Sequence, residues 1–268
     1  MLAAKAIDAI AQALRRQDGV RALFLSGSYG AGLEDEYSDL DMVIVTRDAA
    51  DDTAAELWKA AILDVEPLVL WRDRQSKPRL INAITESWLR IDAVILKPQE
   101  TATLTKDSLR PLFDRDGLYE GLRDSAAADP PRRPRIGDQF EEFIRILGLL
   151  PVVVGRREYL NGVTGVFHLR RLLIDLMIEE TDAPHRGGAL HLRRLLSADQ
   201  TAALSSLPVP QPTRDAVIEA HLAYAGAYIP RARRLARTWG ATWPDRFEAA
   251  TWRRLRETLQ IERPDLSE

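Results

Sequence analysis

The side chains best suited to chemistry are two aspartates, Asp39 and Asp41, which are separated by a single leucine at the start of the apolar run LDMVIV. Alternate side chains of a strand point to the same face, so the two carboxylates are predicted to project together. Leu40, Met42 and Ile44 are then predicted to face a core. Adjacent carboxylates repel each other unless a cation compensates them, and carboxylate oxygens are ligands that Mg²⁺ prefers. The pattern therefore predicts a metal site formed by Asp39 and Asp41.

A glycine and a serine, Gly27 and Ser28, follow the apolar stretch 21–25 and precede Asp39 by ten intervening residues. Glycine allows a close approach of the backbone to a phosphate. A short helix beginning near Ser28 would direct free N–H groups and the positive end of its dipole at a triphosphate, and the serine hydroxyl adds a donor. Metal on one side and donors on the other provide the charge neutralisation and positioning that phosphoryl transfer needs. Gly27 and Ser28 are thus predicted to bind nucleotide.

The order of these features, namely apolar strand, Gly-Ser, ten residues, Asp-x-Asp and apolar strand, resembles the signature of the DNA polymerase β-like nucleotidyltransferases. The residues YSDLD at 37–41 are most similar to those of bacterial aminoglycoside and lincosamide nucleotidyltransferases, and the resemblance covers about residues 20–96. It implies an enzyme that uses Mg²⁺ and ATP or another NTP. Such an enzyme transfers a nucleoside monophosphate, AMP from ATP in the expected case, to the hydroxyl of a small-molecule acceptor. A role in antibiotic resistance is consistent with it.

The same resemblance places a third carboxylate on a later strand. Asp92 fits this position, because it is a lone acid among the apolar residues of LRIDAVIL. Together with Asp39 and Asp41, it is predicted to be catalytic and to lie at the metal, either as a ligand of a second ion or as the general base on the acceptor hydroxyl. Antibiotic-modifying members often carry glutamate here, which is one methylene longer than Asp92.

The surrounding elements predict an α+β (mixed) fold. Apolar periodicity predicts helices at 2–17 and 52–63 and strands at 21–25, 40–45, 66–71 and 88–96. These elements are predicted to form a nucleotidyltransferase α/β domain with a mixed sheet over 1–125. A proline-containing linker is predicted over 126–137, and an all-helical, substrate-binding domain over 138–268. In that domain, Thr213 is predicted to cap a helix kinked at Pro230, and a final helix after Pro244 is predicted to bury Phe247, Leu255 and Leu259.

Composition excludes several classes of protein. The chain has no cysteine, which rules out disulfides, thiolate nucleophiles and zinc sites built on sulfur. Residues 1–125 carry 16 basic and 22 acidic side chains, and residues 126–268 carry 21 and 18, so neither half is strongly basic. Nucleic acid is therefore not the expected partner. No run approaches the ~20 apolar residues of a membrane span, and Lys5 and Asp8 interrupt the first apolar stretch, so the cytoplasm is the predicted location.

Two other functions fit parts of the sequence. One is an enzyme of the same superfamily that modifies a protein or a tRNA end, against which the absence of a basic half argues. The other is a nucleotide-binding, antitoxin-like regulator without turnover, against which Asp92 argues, since a pure binder has no need of it. The segment HRGG at 185–188 is either a phosphate contact or a glycine-containing loop. The acidic residues 34–36 are predicted to be a solvated loop.

Overall fold

A computed structural model of the chain describes residues 2–47, 50–125, 133–181 and 192–266. Contacts between Cα atoms divide the chain into two compact units, Met1–Ala127 and Ala128–Glu268. The first part of the predicted linker, 126–132, and the segment 185–188 lie outside the described residues. The remainder of the predicted linker, 133–137, is helical, because a helix begins at Arg133.

The first unit contains three helices and six strands within the described residues. The helices are α1 (Leu2–Arg15), α2 (Gly27–Gly30) and α3 (Asp51–Leu63). The strands are β1 (Val20–Ser26), β2 (Leu40–Thr46), β3 (Leu68–Arg74), β4 (Arg79–Thr85), β5 (Arg90–Leu96) and β6 (Arg110–Asp114). Two 3-10 turns, Pro98–Thr103 and Lys106–Ser108, connect β5 to β6. Strands β4 and β6 were not predicted from the sequence.

All six strands form one mixed sheet in the order β3-β4-β5-β2-β1-β6. Strands β2 and β5 are parallel neighbours, whereas every other adjacent pair is antiparallel. The parallel pairing requires a crossover, which α3 and the β3–β4 hairpin provide. Because β2 and β5 are adjacent and run in the same direction, their first residues lie side by side at the same end of the two strands.

The sheet is covered on both faces near its centre. One face packs against α1 and α3 and forms the larger core, in which Leu40, Met42 and Ile44 are buried as the sequence predicted. The opposite face buries a smaller cluster that includes Val43 and Val45. Asp41 belongs to this second face by strand alternation, so its carboxylate lies away from the main core.

The second unit is helical throughout its described secondary structure. Its helices are α4 (Arg133–Gly148), α5 (Leu150–Arg156), α6 (Tyr159–Glu180), α7 (Leu192–Leu195), α8 (Ala198–Ser206), α9 (Arg214–Trp239) and α10 (Asp245–Leu259). Helix α9 begins after Thr213 and continues through Pro230. In α10, Leu255 is buried as predicted, but Phe247 is 40% exposed, so its predicted burial was wrong. The α+β (mixed) fold predicted from the sequence is confirmed, with a mixed sheet in the first unit and helices in the second.

No helix within these ranges combines the length and the apolarity needed to span a bilayer.

Candidate active site

Gly27 joins the end of β1 to α2 in a conformation that favours glycine. Its φ is +58°, in the left-handed region where a Cβ atom is strained. A Cβ atom here would also overlap Asp41 Oδ2, since Ser26 is the register partner of Asp41 in the antiparallel β1–β2 pair. The bare backbone of Gly27 therefore lies directly against a carboxylate of the predicted metal site.

Ser28 presents a buried hydroxyl that has no hydrogen-bond partner in the described structure. A buried hydroxyl without a partner costs free energy, so such groups in native proteins usually meet a ligand or an ordered water. The residue lies in α2, the short helix that the sequence predicted near this position. A phosphate oxygen would be a suitable acceptor for this O–H group.

The three predicted carboxylates, Asp39, Asp41 and Asp92, come together at the first residues of β2 and β5. Asp41 and Asp92 are direct partners in the parallel register of these strands, and Asp39 immediately precedes β2. One oxygen from each residue can be chosen so that all three lie within 4.8 Å of one another. All three residues are partly exposed. We refer to Asp39, Asp41 and Asp92 as the acidic triad.

The electrostatics of the triad favour a bound cation. Burial raises the pKa of Asp41 above its ordinary value, and the nearby charge of Asp92 raises it further. Within the described residues, neither Asp41 nor Asp92 has a hydrogen bond or ion pair to its side chain. Three converging oxygen donors with this excess of negative charge fit a hard divalent cation such as Mg²⁺.

The loop before Asp39 is ordered by its own polar side chains. The Asp35 backbone N–H donates to Ser38 Oγ over 2.9 Å, and the Tyr37 N–H donates to Asp35 Oδ1 over 3.0 Å. Glu34 Oε1 lies 3.4 Å from Nη1 of Arg110 on β6. The acidic residues 34–36, predicted to be a solvated loop, are exposed, and Asp35 orders the turn that precedes Asp39.

One residue of the site was missed by the sequence analysis. Arg90 opens β5, and its Nη2 donates to Asp39 Oδ2. The strand period contained a signal, because Arg90 lies two residues before Asp92 and therefore on the same face. What the sequence did not show was the parallel pairing that brings the start of β5 beside Asp39.

Residues 7–96 match the model of the family described as "Nucleotidyltransferase domain". The chain carries a nucleotidyltransferase domain. The matched region ends with β5 and includes Gly27, Ser28 and the acidic triad. The prediction of a nucleotidyltransferase enzyme is confirmed by this match, as is the resemblance to that family. No curated protein is similar enough to the sequence to count as a match.

Several solved structures are similar to the nucleotidyltransferase at low identity. An aminoglycoside 6-adenyltransferase from Bacillus subtilis has a TM-score of 0.43 and 13% identity, over 92% of this chain and 95% of that one. A spectinomycin adenyltransferase from Enterococcus faecialis, with ATP and spectinomycin, has a TM-score of 0.34 and 13% identity, over 86% and 99%. A nucleotidyltransferase-like protein from Exiguobacterium sibiricum has a TM-score of 0.37 and 11% identity, over 93% and 88%. Because these TM-scores are below 0.5, the assignment rests on the family match.

Proposed function

We propose that this nucleotidyltransferase transfers a nucleoside monophosphate, AMP from ATP in the first instance, to a hydroxyl group of a small-molecule acceptor. The observation that carries the proposal is the convergence of the acidic triad, with oxygens within 4.8 Å, in the same β1–β2–β5 region of the sheet as Gly27 and Ser28. This arrangement would combine a divalent metal site with a phosphate-binding turn, and both are requirements of phosphoryl transfer.

Each residue has a defined part in this reaction. Asp39 and Asp41 would hold Mg²⁺, which neutralises phosphate charge when bound. Gly27, whose backbone lies against Asp41, would offer its N–H to a phosphate, and Ser28 would donate its hydroxyl hydrogen to a phosphate oxygen. The acceptor oxygen forms a bond to the α-phosphorus while the bond from that phosphorus to the bridging oxygen breaks, and pyrophosphate leaves. Asp92 accepts the proton of the acceptor hydroxyl or completes the metal site.

The second unit is proposed to be the substrate-binding domain, over 138–268. All five predicted site residues lie in the first unit, whereas the second unit has a separate hydrophobic core and none of the acidic triad. A small-molecule acceptor must be oriented by contacts beyond the reacting atoms. Such orientation accounts for much of the rate acceleration in reactions of this kind. The helical unit is the part of the chain available to provide them.

The experiment that tests this function is mass spectrometry of acceptor panels incubated with the full chain, Mg²⁺ and each of the four NTPs. The panels should contain aminoglycosides, spectinomycin, lincosamides and neutral hydroxylated compounds, with the chain itself, other proteins and tRNA included as macromolecular acceptors. A mass increase of one nucleoside monophosphate on a small molecule, with release of pyrophosphate, supports the proposal. Modification of protein or tRNA alone would favour the macromolecular alternative, and nucleotide binding without any product would favour the regulator.

A substitution at Asp92 separates chemistry from binding. Asp92→Asn is expected to lower transfer by about a hundredfold or more while changing the Kd for NTP by only a few-fold, because a general base acts in the transition state. Initial rates of pyrophosphate release and calorimetric titration with NTP would measure the two effects. An equal loss in both would make Asp92 chiefly a metal ligand, and an unchanged rate would remove it from the mechanism.

A further inference from the structure

Arg90 is the one cation in the described part of the chain that contacts the acidic triad, and it contacts only Asp39. The contact runs from Arg90 Nη2 to Asp39 Oδ2. The other two carboxylates, those of Asp41 and Asp92, have no cationic partner within the described residues. Three acidic groups are therefore opposed by a single guanidinium.

The position of Arg90 is fixed by the sheet, but its side chain is not buried. Ile91 pairs with Leu40 in the β2–β5 register, so Arg90 lies level with Asp39 at the edge where both strands begin. Its side chain is 42% exposed and that of Asp39 is 26% exposed. Ion pairs with this much exposure contribute little free energy, since water and salt screen them. The contact can therefore be exchanged for another at small cost.

A divalent cation and a guanidinium compete for the same carboxylate. A metal held by Asp39 would lie close to the Arg90 charge, and like charges at such distances repel each other. A nucleotide changes this balance, because its triphosphate brings several negative charges to the same place. Guanidinium groups bind phosphate and carboxylate alike through two parallel hydrogen bonds. The Arg90–Asp39 contact uses a single pair of atoms, Nη2 and Oδ2, so a two-bond contact with a phosphate would be the stronger one.

We propose that Arg90 is an exchanging cation of the nucleotide site. In the metal-free enzyme it neutralises Asp39, and when metal and NTP are bound it leaves this carboxylate and binds a phosphate oxygen of the nucleotide. Arg90 is then a nucleotide-binding residue that also offsets part of the negative charge of the acidic triad before metal binds. This inference rests on the proposed function, and it adds a residue that the sequence signature does not contain.

The exchange predicts opposite effects of one substitution on two ligands. Arg90→Gln removes the competing charge, so the full chain should bind Mn²⁺ alone about three- to tenfold more tightly. The same variant loses the phosphate contact, so it should bind α,β-methylene-ATP with Mg²⁺ about tenfold more weakly. Electron paramagnetic resonance of free Mn²⁺ and isothermal titration calorimetry with the analogue measure these two affinities.

Two further variants serve as controls. Arg115→Gln removes another arginine that is paired with a carboxylate, that of Asp18. Arg115 lies beside Arg21 near the start of β1, whereas the site lies at the end of that strand. It should leave both affinities unchanged. Arg90→Lys keeps the charge but not the planar fork, so Mn²⁺ affinity should match the wild type and analogue affinity should be only partly restored.

The possible results separate this inference from the function on which it rests. If Arg90→Gln weakens the binding of both ligands, Arg90 merely positions Asp39 and the proposed exchange is wrong. If Arg90→Gln changes neither affinity, the pair is an ordinary surface contact and the exchange is again wrong. A wild-type chain that binds neither Mn²⁺ nor the analogue would overturn the proposed function, whereas opposite shifts in the two affinities support the exchange.

Discussion

The two units of the chain differ in how far the protein itself neutralises their carboxylates. In the second unit, Glu248 has a side chain that is only 3% exposed, yet it is contacted by four donors. Arg233 and Arg263 lie 2.5 and 3.3 Å from its oxygens, and the indole N–H groups of Trp243 and Trp252 donate over 2.8 and 3.1 Å. In the first unit, Arg90 is the one cation among the described residues that contacts the acidic triad, and it contacts Asp39 alone. Glu248 is buried and its oxygens are hydrogen-bonded by the protein, whereas the partly exposed triad receives one protein donor among the described residues.

We interpret this contrast as the difference between a structural acid, Glu248, and the proposed functional acids of the triad. Glu248 joins α9, α10 and the residues on either side of α10, so its contacts hold the helical unit together. Among the described residues, the acidic triad receives one protein donor, Arg90, so most of its oxygens are available to a ligand. Substitutions should therefore affect folding in one case and catalysis in the other.

The largest expected effect is on catalysis at Asp41. Asp41→Asn should reduce nucleotidyl transfer by about a hundredfold or more, because the variant loses the charge of a proposed metal ligand. The fold should be as stable as the wild type or more stable at neutral pH. Burial and Asp92 raise the pKa of Asp41, so its ionised form is disfavoured in the folded state and the amide removes that penalty. Rates and thermal midpoints should be measured on the same samples, and a lowered midpoint would contradict the comparison.

A smaller effect, on stability alone, is expected at Glu248. Glu248→Gln should lower the free energy of unfolding by about 2–3 kcal/mol, because the amide cannot accept from both indoles and leaves two arginines without their anion. Urea unfolding followed by far-UV circular dichroism would measure the loss. The matched control is Glu142→Gln, which breaks the exposed pair with Arg145 in the same unit and should cost less than about 1 kcal/mol. Equal losses in the two variants would show that Glu248 has no special structural role.

The smallest effect concerns a buried histidine. Burial lowers the pKa of His221 below 6.5, against the opposing influence of the Val217 carbonyl that accepts from Nδ1 over 2.8 Å. The folded state then favours the neutral ring, and the unfolded state binds the extra proton. Its contribution to stability is present above pH 6.5 and is lost as the pH falls through the lowered pKa.

The measurement is the thermal midpoint of the full chain between about pH 7.5 and pH 5. The slope of this midpoint with pH should be shallower in His221→Gln than in the wild type. Replacing the exposed His168 with glutamine should leave the slope as it is in the wild type. The same slope in all three proteins would show that burial of His221 does not couple folding to pH.

The part of the site that could be predicted was local in the sequence. The two-residue spacing of Asp39 and Asp41 already determined that they share a face, and the Gly27-Ser28 turn followed from residue type and position. The pairing of Arg90 with Asp39 could not be predicted, because it depends on which strand lies next to β2. Glu248 was missed for the same reason, since its donors come from positions 5 and 15 residues away as well as from its own helix.

The fold was predictable where hydrophobic periodicity was clear. Strand β6 (RPLFD) was missed because a proline and two charges interrupt its apolar pattern, and edge strands tolerate both. The burial of Phe247 was predicted wrongly. Phe247 lies in the first turn of α10, off the face that buries Thr251, Trp252 and Leu255.

The parallel register of β2 and β5 also determines how this site can vary. Asp41 and Asp92 are 51 positions apart in the sequence, but their separation in space is set by the hydrogen bonds of two adjacent strands. The chain between them can gain or lose residues in its loops without changing that distance, because the length of a connection does not enter the strand register. Insertions between α3 and β3, or at the tip of the β3–β4 hairpin, could therefore reshape the surroundings of the site while its three carboxylates keep their spacing.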